Sequence, residues 1–202
     1  MTRTWLVIAL ATVGCAHRAA AATYTAGDSM VPSIAVGEAV PLGHDTPVRG
    51  RVIVFRWPAS PGREYIKRVI GIAGDTIAAN GAEIVVNGTP IPACRVGAWT
   101  FAGHAGELWL EALDGARWLV YHDATKTIAE RGPWKVAAGE VFVLGDNREN
   151  VTDSRRWPGS GGLPIAWIVG TAPDATVVLP AGAASLQPAL DRCLAGYGSA
   201  TR

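Results

Sequence analysis

The chain has 202 residues, 49% of them hydrophobic and 17% charged, with 18 basic against 17 acidic side chains for a net charge of +1. That is enough apolar material for one packed domain and argues against a disordered chain. No basic block of five or more appears, so nothing favours nucleic acid as a partner.

Arg3 precedes an uncharged run from Trp5 through Gly14. The run is too short for a membrane-spanning helix, which needs about 20 residues. It has the length of a signal-peptide hydrophobic region. Three outcomes stay open: cleavage after the small residues Ala20-Ala21-Ala22, lipidation at Cys15 in Val13-Gly14-Cys15, or an uncleaved short anchor. Each places the rest of the chain outside the cytoplasm. Residues 1–26 are therefore a signal or anchor segment with its linker.

Short strands and turns are predicted next, as 24 glycines and 13 prolines suit. Val52-Ile53-Val54-Phe55 is β-branched and aromatic, and Tyr65 to Ile72 reads as a second strand. Ile84-Val85-Val86 runs into the tight-turn pair Asn87-Gly88. Residues 93–137, with Trp99, Trp109, Trp118 and Trp134, read as a small β insert. Val141 to Leu144 is a buried strand delivering Gly145-Asp146-Asn147. Ala166–Thr171 and Thr176–Leu179 are predicted as late strands, and residues 181–202 as a tail with a helical turn or two at Ala189–Leu194. Many short strands without a long helical period favour a mostly β, antiparallel architecture.

Three cysteines (Cys15, Cys94, Cys193) form no CxxC pair, and His17, His44, His104 and His122 fit no zinc spacing. No metal or other cofactor is expected. Cys94 and Cys193 form either a disulfide or two separate buried thiols; the sequence does not choose.

The chemistry lies in three segments: Gly27-Asp28-Ser29-Met30-Val31-Pro32-Ser33, Tyr65-Ile66-Lys67-Arg68-Val69-Ile70-Gly71, and Gly145-Asp146-Asn147-Arg148 running on to Asp153-Ser154-Arg155. A serine and a neutral lysine can cleave a peptide bond without histidine, the hydroxyl attacking and the amine removing its proton. An ordinary lysine, with pKa ~10.4, is a poor base at neutral pH, but burial among Ile66, Val69 and Ile70 lowers that value. Gly27 is expected to permit an unusual backbone beside the nucleophile and Pro32 to rigidify its exit, with Met30 between them. The Ser29 amide would then face a developing oxyanion.

These segments, in this order, resemble type I signal peptidases, including the conjugative-transfer processing peptidases related to them. The resemblance covers roughly residues 25–170. It implies antiparallel β-sheets of the signal peptidase type over 27–180, a catalytic pair Ser29 and Lys67 expected within hydrogen-bond reach, and a supporting network of Asp146, Asn147, Arg148, Asp153, Ser154 and Arg155. It implies removal of signal peptides from exported preproteins with small residues at the first and third positions before the cut. The catalytic domain would work on the extracytoplasmic side, in contact with the membrane lipid surface, where Trp57 and Trp157 can sit. Relatives usually have one or two full membrane spans, and none is read here.

The chain departs from the family at several positions. Val151 stands where relatives have a polar side chain that hydrogen-bonds the lysine amine, leaving Ser154 or backbone to orient Lys67. Gly27 carries no second oxyanion hydroxyl, Arg51 replaces a common acid, and 156–164 is longer than usual. Two further readings follow: a processing peptidase dedicated to one pilin-like or conjugation client, and a catalytically weak or dead relative that binds signal peptides. Cytoplasmic self-cleaving repressor proteases share the chemistry but not the export segment.

Overall fold

The computed structural model describes residues 22–57, 60, 62–127, 129, 131–173 and 176–198. The targeting segment, with Cys15 and its alternative exits at Ala20-Ala21, lies outside the described residues.

Fourteen strands are described: β1 (Thr23–Thr25), β2 (Ala39–Pro41), β3 (Val52–Arg56), β4 (Glu64–Ile72), β5 (Thr76–Asn80), β6 (Glu83–Val86), β7 (Thr89–Pro90), β8 (Ala93–Phe101), β9 (His104–Leu113), β10 (Ala116–Asp123), β11 (Arg131–Lys135), β12 (Glu140–Leu144), β13 (Leu163–Pro164) and β14 (Ile168–Thr171). A helix, α1 (Gln187–Gly198), closes the described chain. The paired strands are antiparallel, in four sheets: β1-β2, β10-β9-β8, β11-β5-β6-β7 and β13-β12-β4-β3-β14. The mostly β, antiparallel class read from the sequence is the one found.

The five-stranded sheet organises the molecule. Its central strand β4 is covered on both faces, which is why it reads as an apolar run rather than an alternation. Val69 joins Ile53, Phe55, Val141, Val143 and Leu163 on one face. Ile70 joins Phe142, Leu144, Ile77, Trp118 and Val120 on the other. Lys67 lies directly opposite Ile53, and Arg68 opposite Val52. A register shift between Phe142 and Val143 breaks the β12–β4 ladder near the middle of the strand; such irregularities bend a strand and re-aim its side chains.

The tight turns follow their residue types. Asn87-Gly88 joins β6 to β7 and Asp114-Gly115 joins β9 to β10, all four residues at positive φ as a two-residue hairpin loop demands. Residues 93–137 divide between two sheets. β8–β10 form a sheet of their own, whereas Trp134 in β11 pairs with Ile77 of β5.

Three predicted elements differ. Ala166 belongs to a one-turn 3-10 helix, Ile165–Trp167, and the strand begins only at Ile168. Thr176–Leu179 is not a strand. It lies between Pro173 and Pro180, and Val177 and Leu179 pack sideways onto the apolar face of the β8–β10 sheet instead of pairing. The tail carries the three-turn helix α1, whose Leu190 and Cys193 are buried against Val96, Leu108 and Leu110. Cys193 is disulfide-bonded to Cys94 of β8, with Cα atoms 5.7 Å apart, which settles the choice between bridge and free thiols.

Candidate active site

Met30 anchors the first segment. It is fully buried with Val52, Val54 and Ile66, while Gly27 and Asp28 stay exposed and Ser29 is half-buried at the mouth. Asp28–Met30 form one turn of 3-10 helix. Ser29 is its second residue, and the first amides of any helix lack an intrahelical acceptor. Pro32 bridges to Val120 of β10, and Ser33 Oγ donates to Leu119 O at 2.8 Å. The unusual backbone expected at Gly27 is not present: its φ is −84°, which any residue adopts, and an added Cβ would meet nothing within 4 Å.

Lys67 is 4% exposed. Its Nζ donates to the carbonyl oxygen of Ile66 at 2.8 Å, and Ser29 Oγ donates to the same oxygen at 3.4 Å. The two groups expected to react therefore converge on one acceptor. The direct bond between them expected from the resemblance is not formed among the described residues. Burial pushes the Lys67 amine down to about 8, against the carboxylates of Asp153, Asp146 and Asp28, which favour its charged form.

The third segment grips the first. Asn147 donates its backbone N–H to Ser29 O and its Nδ2 to Asp28 O, each at 3.2 Å. Gly145 passes beneath the turn so closely that a Cβ there would lie 2.7 Å from Ser29 O and 2.8 Å from the Val151 methyls. Asp146 accepts two bonds from Arg68, from Nε at 2.9 Å and Nη2 at 2.7 Å. Arg68 also donates to Gly50 O and lies over the Trp118 ring. Asp153 is fully buried; it accepts from Gly145 N–H and from Arg155 Nε and Nη2, and Arg155 Nη2 reaches Arg148 O at 2.6 Å.

Of the two candidate orienters of Lys67, backbone is the one in contact. The Ser154 hydroxyl instead accepts from Val143 N–H at 2.9 Å, capping the edge of β12. Val151 is buried against Gly145. Trp57 and Trp157 lie with ring centroids 4.6 Å apart and planes tilted by 38°, and Trp167 meets Trp57 edge-on at 5.5 Å. The sequence offers backbone as an orienter of Lys67 without singling out the Ile66 carbonyl, and it gives no pointer to Tyr121 or Glu111. A backbone oxygen leaves no trace in residue identity. Glu111, an acid embedded among the apolar residues of a strand, is the kind of signal that would have revealed a buried pair. Among the described residues no group of three or more His, Cys, Asp or Glu is placed to hold a metal ion.

A family model described as signal peptidase, peptidase S26, matches residues 1–176. The signal peptidase I of Pseudomonas fluorescens is 37% identical over 138 residues, covering 65% of this chain and 46% of that protein. The signal peptidase I of Leptolyngbya laminosa is 30% identical over 165 residues, covering 76% and 66%. The chain spans about half the length of the Pseudomonas relatives it matches. A crystal structure of a signal peptidase I from Enterococcus faecalis V583 aligns with a TM-score of 0.41 at 21% identity, covering 65% of this chain and 100% of that one.

Proposed function

The chain belongs to the signal peptidase family, peptidase S26, and from that premise we propose that it is a serine endopeptidase that removes N-terminal signal peptides from exported preproteins, with Ser29 as nucleophile and Lys67 as base. The observation that carries this reading is the convergence of the Ser29 hydroxyl and a buried lysine amine on the Ile66 carbonyl.

With its pKa near 8, about a tenth of Lys67 is neutral at pH 7, roughly 300-fold more than for an unperturbed lysine. In the reaction, the Ser29 hydroxyl turns from its long bond to Ile66 O toward the amine. Nζ takes the proton as Oγ attacks the scissile carbonyl carbon, and the Ser29 amide donates to the oxyanion. Collapse expels the mature protein's new N-terminus, which takes the proton from Lys67. Water then attacks the acyl carbonyl and gives its proton to the same amine; the acyl–Oγ bond breaks, Oγ takes that proton back, and the signal peptide leaves with a new C-terminal carboxylate. Asn147 and Gly145 hold the nucleophile turn throughout, and Ile66 O holds Nζ in place, supplying what Val151 lacks.

The work site is the extracytoplasmic face of a membrane, reached through the export segment at residues 5–14. No described helix is long and apolar enough to cross a membrane.

The test is incubation of the purified chain with a model preprotein, reading the cut site by mass spectrometry. Cleavage after a small residue, abolished when that residue is changed to leucine, supports the reading. Cleavage indifferent to that change, or none, contradicts it.

A further inference from the structure

Strand β10 runs between the two halves of the candidate site. Its Leu119 and Val120 meet Ser33 and Pro32 beyond the nucleophile. One residue on, the Tyr121 N–H donates to Asp146 O at 2.9 Å, and Tyr121 O accepts from Arg148 N–H at 3.0 Å. The three-stranded sheet thus touches both the serine turn and the loop that grips it.

Glu111 of β9, the neighbouring strand, is 3% exposed. Its carboxylate accepts from Trp118 Nε1 at 3.0 Å and from Nη2 of Arg148. Arg148 is 1% exposed, and Glu111 is its ion-pair partner. Its Nε and Nη1 have no hydrogen-bond partner among the described residues. A guanidinium so buried stays where its carboxylate is, because separating the pair leaves an uncompensated charge in a low-dielectric interior. Asn147, the residue before Arg148, holds both Asp28 O and Ser29 O.

We propose that Glu111, carried by the three-stranded sheet and not by the sheet that bears Lys67, is a positioning residue for the nucleophile, acting through Arg148 and Asn147. The inference rests on the peptidase reading given above. Glu111 touches neither substrate nor reacting atoms. Its charge fixes the Arg148 side chain, which fixes the loop at Asn147, which sets the height of the Ser29 turn over Lys67. The three-stranded sheet is then part of the catalytic apparatus.

The experiment uses the full chain and three variants, at a temperature where circular dichroism shows each one folded. Glu111→Gln keeps an acceptor for Trp118 and removes the charge. It is expected to lower kcat by about tenfold or more with KM within about twofold, and to speed amide hydrogen exchange at Asn147 by a similar factor. Glu107→Gln, on the same strand but facing Arg95 at the surface, leaves both readouts unchanged. Glu111→Leu combined with Arg148→Met removes both charges. Apolar replacement of a buried pair often restores stability, so this variant should recover Tm while kcat stays low. Unchanged kcat and Asn147 exchange in Glu111→Gln would overturn the inference, as would recovery of kcat together with Tm in the double variant. A wild-type chain that cuts no preprotein overturns the peptidase reading instead, and the Asn147 exchange then still decides whether the clamp exists.

Discussion

Replacing Lys67 by methionine should stabilise the protein while destroying its activity. Burial lowers the Lys67 amine from 10.5 to about 8, so its charged form is costly to hold in the folded chain. Below pH 8 it is protonated in both folded and unfolded chains, and the folded state bears the full cost of holding the charge away from water. At 1.36 kcal/mol per unit, that cost is about 3 kcal/mol. Between pH 8 and 10.5 the unfolded chain binds more protons than the folded one, so stability rises with pH. Above 10.5 the amine is neutral in both states and the cost is gone. Methionine fills the same slot without a charge. Lys67→Met should therefore be more stable by about 3 kcal/mol at pH 7, seen as a Tm roughly 6–12 °C higher for a chain of this size. The difference should shrink steadily above pH 8 and vanish past pH 10.5. Paired thermal or urea melts of the two proteins across that range measure it, since titrations common to both cancel in the difference. A variant no more stable than wild type at pH 7, or a gain that does not shrink as pH rises, would refute the burial argument for Lys67.

Gly27→Ser places a hydroxyl two residues before Ser29, where an added Cβ meets nothing within 4 Å and φ is already −84°. One extra neutral hydrogen bond to the oxyanion, worth about 1 kcal/mol, should raise kcat by about fivefold with Tm unchanged. Val151→Ser should give no gain in turnover, because Ile66 O already holds Nζ, and should lower stability by about 1–3 kcal/mol by burying an unpaired hydroxyl; a rise in kcat/KM would show that Lys67 lacks an orienting partner. Cys193→Ser opens a bridge between residues 99 apart in sequence and should cost up to about 4–5 kcal/mol in denaturant melts; a melt identical to wild type would mean that helix α1 holds to β8 by apolar contact alone.

The strands that position the site were legible because burial writes itself into composition. β3, β4 and β12 are β-branched runs, and each was read to within a residue or two. Asn87-Gly88 was legible because few residues tolerate positive φ. Thr176–Leu179 misled for the opposite reason. Its apolar residues pack on a sheet face without joining an edge, and local sequence does not distinguish the two. Gly27 and Gly145 make a similar contrast. Both are glycines beside Ser29, yet only Gly145 is required sterically, by contacts with Ser29 and Val151 that sequence separation conceals. The third segment was legible as a charged network, but its partners Tyr121 and Glu111 come from strands far away in sequence. The orientation of Lys67 was open between Ser154 and backbone. It was resolved only by the register that sets Ser154 against Val143.

The central claim is that a neutral Lys67 activates Ser29. The most direct measurement is kcat/KM for one preprotein from pH 5.5 to 9.5, with Ser29→Ala and Lys67→Met as controls. Activity should rise through a single ionisation near pH 8 and fall to background in both variants. A flat profile over that range, or cleavage retained without the Ser29 hydroxyl, would contradict it.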